Sequence, residues 1–458
     1  MRMSYYLGAA AISALVTYFL AVWITRLGMK YRLYPQIRER DVHKRPTPRL
    51  GGIAMFIGVV VAFGVTSQLP QFSLIFANPG PIFAILGAAL IIVAIGVADD
   101  IWDLDWMTKL VGQILAAALL AWQGVQLTAL PIPGGVIELS SYTGLIVSVM
   151  AIVLVMNAIN FIDGLDGLVA GVAIIANGVF FIYSYILSTQ IAQTEYFNLA
   201  SLITAVLIGA CVGFLPLNWH PAKLFMGDAG ALFVGLMMAT SAISVTSQVD
   251  VGQFQFAKLF IPAFIPILLP FAILIVPLLD FSLAVFRRLR AGKSPFSADR
   301  KHLHHRLLDM GHSDVRAVLI FYAWTTVVAF GCLLFIFVHA IWAISFVALG
   351  LLICAVFTMT PLSRRKAIEA AVQLATPDVT GRFAVSTNDL ARLDPLDRAA
   401  NDDDPSDDNH SDDSHSDDNH SGDNHSGDAN EGEPSASDPT ALPPTSLPPT
   451  SLSAQKDT

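Results

Sequence analysis

From near its start to about residue 360 this chain is a succession of apolar runs, each roughly 17 to 25 residues long, the length a helix needs to cross the hydrocarbon core of a bilayer. Eleven runs stand near 5–25, 50–68, 81–98, 107–123, 144–161, 167–188, 199–217, 229–247, 258–286, 317–338 and 340–360. In lipid every backbone N–H and C=O must be satisfied within the chain, and runs of this length do so as helices. With 54% hydrophobic and only 14% charged residues, a soluble protein of two or three domains is excluded. The expected fold is all-α: a polytopic integral membrane protein of about eleven transmembrane helices. The ninth run holds Pro262, Pro266, Pro270 and Pro277, each of which removes a helical hydrogen bond, so a bent or broken ninth helix is predicted.

The distribution of Lys and Arg sets the orientation. Basic residues crowd residues 26–49, 287–316 and 364–366, whereas the intervening loops near 69–80, 124–143, 189–198 and 248–257 contain none. Eleven spans put the three basic segments on one side, the cytoplasm, and leave the N-terminus outside. The first apolar run lacks the short apolar core and cleavage site of a secretory signal and is expected to remain as a span. Cys211, Cys332 and Cys354 each lie inside an apolar run, which argues against both a disulfide framework and a thiolate metal site.

The formal charge of -9 belongs to the tail. Residues 401–458 hold 15 acidic side chains and one Lys, leaving residues 1–400 with 26 basic against 21 acidic. The tail repeats Asp-Asp-Asn-His-Ser and then Leu-Pro-Pro-Thr-Ser, low-complexity sequence too polar to bury a core. Three parts follow: residues 1–360 as the transmembrane domain, 361–400 as a cytoplasmic juxtamembrane segment and 401–458 as a disordered acidic, His- and Pro-rich tail.

Ionisable groups at membrane depth are expensive unless they bind something. Asn157, Asn160, Asp163 and Asp166 recur at every third position across the junction of two apolar runs. Asp99 and Asp100 close the third run, with Asp103 after them, and Asp228 opens the eighth within Phe225-Met-Gly-Asp228. The orientation places all of these on the cytoplasmic side. Carboxylates at a helix C-terminus face the negative end of the dipole and repel one another, so the Asp99 cluster calls for a cation or a proton. A solvated helix end is the bland alternative there, and an N-cap is the bland alternative for each loop Asp. Hard oxygen donors of this kind suit Mg²⁺. His302-Leu-His304-His305-Arg306 sits in the most basic loop, where imidazoles beside Arg306 suit an anionic pyrophosphate better than zinc. Gly292-Lys293-Ser294 lacks the upstream glycine and the strand of a P-loop.

Taken in order, Asp41-Val-His43-Lys-Arg-Pro-Thr-Pro-Arg-Leu-Gly-Gly52, Asp99-Asp100 with Asp103, the stretch from Asn157 to Leu168, Asn218 with Phe225-Met-Gly-Asp228, and His302-Leu-His304-His305-Arg306 resemble the polyprenyl-phosphate N-acetylhexosamine-1-phosphate transferases of glycosyltransferase family 4. Pro-Arg-Leu-Gly-Gly and His-Leu-His-His-Arg are similar to the bacterial branch that uses UDP-N-acetylglucosamine. The likeness spans about residues 5–360. It implies transfer of a sugar 1-phosphate, GlcNAc-1-phosphate in this branch, from a UDP-sugar to undecaprenyl or decaprenyl phosphate, with release of UMP, as the first lipid-linked step of a cell-wall polymer at the plasma membrane. By that resemblance Asp99 or Asp100 positions or deprotonates the lipid phosphate. Asp228 holds Mg²⁺, with Mn²⁺ a substitute, and Asp163 and Asp166 support metal and nucleotide. Gly164, Leu165, Asp166, Asn218 and Phe225 match the uridine pocket. Lys109, His302, His304, His305 and Arg306 match phosphate and sugar contacts, Arg45 a lipid-phosphate contact, and Asn157 and Asn160 belong to the substrate-binding set. The resemblance leaves a homodimer open and gives no nucleic-acid partner. Two other readings stand beside it: a phospho-N-acetylmuramoyl-pentapeptide transferase, which usually carries three adjacent histidines in this loop, and an ion- or proton-coupled transporter.

Overall fold

The computed structural model describes residues 2–31, 47–132, 135–190, 195–246 and 312–375, together with Phe286, Leu289, Arg290, Gly292 and Leu307. These are almost wholly helical. In chain order they form α1 (Met3–Lys30), α2 (Gly51–Ser67), a 3₁₀ turn (Pro70–Phe72), α3 (Ser73–Phe76), α4 (Pro79–Trp102), α5 (Trp106–Trp122), a short antiparallel hairpin of β1 (Ala129–Ile132) and β2 (Gly135–Glu138), α6 (Ser141–Ile162), α7 (Leu168–Gln190), α8 (Glu195–Asn218), α9 (Gly227–Thr246), α10 (Asp314–Phe337) and α11 (Ala340–Ala375).

Among the described residues eight helices are long and apolar enough to cross a membrane, and the bent pair 51–67 and 70–76, angled by 97°, makes a ninth. The chain is a multi-pass membrane protein. The expected broken ninth helix at 258–286 and the tail at 401–458 lie outside the described residues. Two expectations are adjusted. The last helix, α11, does not stop where its apolar run ends near residue 360 but continues to Ala375, through the first part of the segment read as juxtamembrane. The fourth run folds as α5, a helix of 17 residues and so as long as the run itself. The loop after it, expected only to be free of Lys and Arg, carries the β1–β2 hairpin, where Ala129 faces Glu138 across the ladder.

Helix ends are set by local chemistry. Asp105 caps α5 by accepting from the Met107 and Thr108 amides at 3.0 and 3.2 Å. Ser140 caps α6 through the Thr143 amide and Ser313 caps α10 through the Arg316 amide. Asp103 was expected one helical turn beyond Asp99 and Asp100. It adopts φ 54° instead, ending α4 in the left-handed region that Asp tolerates better than most residues. That stop folds α5 back antiparallel to α4.

The centre of the molecule is α9, whose span is buried over its whole length against α2, α4, α6 and α8. A helix apolar on every side belongs in such a place. Outside this core α1 lies along α8, α7 packs between α8 and α10, and α10 pairs with α11. Gly209 and Gly213, one turn apart on α8, lie against the backbone of Ala10 and Ala14 of α1, an approach any side chain would prevent.

Candidate active site

Because consecutive helices alternate in direction, every second connection between them comes to the same end. There the starts of α2, α5, α7 and α9 meet the ends of α4, α6 and α8. The segment leading into α2 is bonded to the segment leading into α9: the Phe225 amide donates to the Pro48 carbonyl at 2.9 Å, Gly51 to Phe225 and Gly52 to Met226 at 3.0 Å. These bonds explain the Pro-Arg-Leu-Gly-Gly sequence. A Cβ on Gly52 would run into the Gly230 backbone of α9. Gly227 has φ 69° and is wedged between the Asp100 carboxylate and the Arg49 carbonyl, where no other residue fits.

This arrangement sets Asp228 in the first turn of α9, where the helix dipole favours an anion, opposite Asp99 and Asp100 in the last turn of α4, where it does not. Lys109, one turn into α5, bridges them: its Nζ lies 2.7 Å from Asp99 Oδ2 and 3.3 Å from Asp228 Oδ2. The Asp228 amide donates weakly to Asp100 Oδ1 at 3.5 Å. Asp99 Oδ1 and Asp100 Oδ2 are buried without a hydrogen-bond partner among the described residues. A buried acceptor left in that state costs about 1–3 kcal/mol, and more when charged.

Asp163 precedes the sixth span, as expected, but its bland reading as an N-cap is replaced: it is the C-cap residue of α6. Burial, then the charges of Asp228 and Asp166, push its carboxyl up to about 7 against the opposing pull of Arg49. Asp163 therefore belongs to the same electrostatic cluster.

Four carboxylates thus face Lys109 and Arg49, with two buried oxygens unsatisfied. Such a donor set suits a hard divalent cation. Among the described residues no three His, Cys, Asp or Glu side chains converge on one point. Mg²⁺ typically takes only one or two carboxylates and completes its shell with water and substrate phosphate oxygens, so the residues present fit that ion.

The remaining predicted residues divide into those near open space and those committed to the protein. Asn157 donates both amide protons, to Gln113 Oε1 at 2.5 Å and to the Val153 carbonyl at 2.8 Å, leaving only its Oδ1 for a ligand. Asn160 is half-buried, and its backbone carbonyl accepts from the Asp163 amide. Asn218 is a buried clamp, accepting from the Gly167 amide and donating to the Leu224 carbonyl, both at 3.0 Å. Asp166 Oδ2, buried, accepts from the Ala222 amide at 3.0 Å and lies 2.9 Å from His220 Nδ1, so this carboxylate ties the 163–167 loop to the 219–223 loop. Gly164 is half-buried and Leu165 buried within the same loop, and half-buried Phe225 is held by its backbone. Arg45, His302, His304, His305 and Arg306 lie outside the described residues. Asp103 and Asp105 are exposed helix ends.

Sequence reasoning missed Arg49, Gln113 and His220 as members of the site. Gln113 carried a signal, being a polar residue within an apolar run. Arg49 stood inside a motif read for its glycines. For His220 only the motif following Asn218 gave a hint, since its partner Asp166 is 54 positions away.

A model of glycosyl transferase family 4 matches residues 82–246. The decaprenyl-phosphate N-acetylglucosaminephosphotransferase of Mycolicibacterium smegmatis is 42% identical to the chain over 356 residues, 77% of this chain and 87% of that protein. The Mycobacterium leprae protein of the same name is also 42% identical, over 77% of this chain and 89% of its own length. A Bacillus subtilis protein described as a probable undecaprenyl-phosphate N-acetylglucosaminyl 1-phosphate transferase is 31% identical over 69% of this chain and 80% of its own.

Proposed function

The chain belongs to glycosyl transferase family 4, and from that premise we propose that it transfers N-acetylglucosamine 1-phosphate from UDP-N-acetylglucosamine to a polyprenyl phosphate, releasing UMP. The product is polyprenyl-pyrophosphate-linked N-acetylglucosamine, the first lipid-linked intermediate of a cell-wall polymer. The observation that carries this reading is the meeting of Asp99, Asp100, Asp163 and Asp228 with Lys109 at one end of the helix bundle. A transporter is disfavoured by the same observation, since its ionisable groups belong near the bilayer midplane. Relatives named for decaprenyl phosphate at 42% identity favour that acceptor over the undecaprenyl form.

Phosphoryl transfer asks a protein chiefly for positioning and charge neutralisation. Asp99 or Asp100, each with an unpartnered oxygen, positions or deprotonates the lipid phosphate for attack on the sugar-proximal phosphorus. Lys109 holds Asp99 and Asp228 at a fixed separation and offers a positive charge to the phosphates between them. Asp166 and Asn218 fix the two loops that wall the nucleotide end. Mg²⁺, held by Asp228 with Asp163 beside it, would neutralise the pyrophosphate and stabilise departing UMP. The Lys and Arg bias of the sequence supports an orientation with this end of the bundle at the cytoplasmic face of the plasma membrane, where UDP-sugars are available.

The test is a reconstituted assay on the purified full-length chain. UMP should be released from UDP-N-acetylglucosamine only when polyprenyl phosphate is present. Mass spectrometry of the lipid after offering UDP-GlcNAc, UDP-GalNAc and UDP-MurNAc-pentapeptide together should find GlcNAc alone; muramoyl-pentapeptide on the lipid would move the chain to the other branch.

A further inference from the structure

Among the described residues Arg49 is held in the active site by the backbone bonds on either side of it and not by its side chain. The residues on either side of it are bonded to the segment leading into α9: Pro48 accepts from Phe225, and Gly51 and Gly52 donate to Phe225 and Met226. Its own carbonyl lies against Gly227, which in turn touches the Asp100 carboxylate. The residue is half-buried, and its charge reaches Asp100 and Asp163. Yet its guanidinium makes no hydrogen bond and no ion pair among the described residues, although its charge acts on both the Asp100 and the Asp163 carboxylates. Lys109, by contrast, already bridges Asp99 and Asp228 and has a single ammonium hydrogen left for a phosphate. A planar fork of five donors, always charged and fixed at the edge of an anionic cluster without clasping it, is the group that binds a phosphate bidentately.

Resting on the transferase reading above, we propose that Arg49 is a further substrate-binding residue, whose guanidinium holds a substrate phosphate against the carboxylate cluster. Phosphate reaches this site from two sources, the UDP-sugar pyrophosphate and the polyprenyl phosphate headgroup. Both offer the oxygens Arg49 requires. The rigid attachment of residues 48–52 to the segment before Asp228 means that the phosphate is held in register with Asp228 itself. Removing the side chain leaves those backbone bonds intact, so the effect falls on binding and not on folding.

The experiment is a pair of kinetic series on the purified full-length chain and its R49Q and R49K variants. UDP-N-acetylglucosamine is varied at saturating polyprenyl phosphate, and then the reverse. R49Q should raise one of the two KM values about tenfold or more, the loss expected for a charge-assisted contact, with a smaller change in kcat. A rise in the nucleotide series assigns Arg49 to the pyrophosphate, and a rise in the lipid series to the headgroup. R49K keeps the charge and the stem but loses the fork, and should raise the same KM by a smaller factor of about three. Because R49K folds with the parent's charge in place, it decides the question even if R49Q does not purify as a monodisperse protein. KM values within about twofold of the parent in both series overturn the proposal. Failure of the parent itself to release UMP would remove the transferase reading instead, whatever the variants do.

Discussion

At the scale of single residues the site is a problem of charge. Asp228 combines a place at the favourable end of the α9 dipole with a contact to Lys109. Asp228→Asn keeps the shape but removes the charge that would hold a divalent cation. Turnover should fall by at least about two orders of magnitude with the protein still monodisperse. Near-parental rates at limiting Mg²⁺ would take Asp228 out of the metal site. Asp163 gives a complementary test. Its folded pKa, about 7, stands above the ordinary carboxyl value of 3.8, so the folded state binds this proton more tightly than the unfolded chain. The stability it confers is complete below pH 3.8 and is lost as the pH rises through about 7. With metal chelated, the melting temperature of the parent should decline across that window more steeply than that of Asp163→Asn, and the variant should be the more stable at pH 8. Superimposable melting profiles would show that Asp163 is not held in the buried cluster.

At the scale of elements the site depends on how closely α2 and α9 approach. Gly52 sits against the Gly230 backbone, and its amide bonds to Met226, two residues before Asp228. A methyl group there meets main chain, which cannot swing aside. Gly52→Ala should therefore shift the start of α9 away from α4, separating Asp228 from Asp99 and Lys109. The expected outcome is a loss of activity of about a hundredfold or more, as a displacement near 1 Å can bring, together with a lower melting temperature. Gly64→Ala, on the same helix with open space around it, is the control and should leave both unchanged. Equal activity in the two variants would mean that the approach of α2 to α9 does not set the catalytic geometry.

At the scale of the whole molecule the governing claim is that one end of the bundle faces the cytoplasm. Cys211, Cys332 and Cys354 are all buried, so a cysteine introduced at an exposed site is labelled against little background. Lys223 is exposed at the active-site end, and Tyr142, 84% exposed, opens α6 at the other end. In intact cells a membrane-impermeant maleimide should modify Tyr142→Cys and spare Lys223→Cys until the membrane is opened. The reverse pattern would place the carboxylates outside, away from cytosolic nucleotide sugars.

The apolar runs determined the helical fold by themselves, because lipid leaves a long apolar segment few alternatives; among the described residues the run boundaries fell close to the helix ends except at the last, where the helix continues from residue 360 to Ala375. They also singled out candidates for the chemistry: Asp99, Asp100, Asp163, Asp166 and Asp228 stood out as carboxylates where carboxylates are costly. What they do to one another was decided only by the tertiary structure. Asp166 and His220 are far apart in the chain and meet across two loops, which makes a predicted metal or nucleotide ligand also a structural tie. Lys109 reaches Asp228 across 119 positions because Asp103 turns α5 back along α4. Arg49 enters the site through backbone bonds to residues 225 and 226, and no pattern in a linear sequence records such a pairing. Local composition fixes where helices begin and end, whereas distances between side chains on different helices arise only from how small residues such as Gly52, Gly209 and Gly227 let the backbones close on one another.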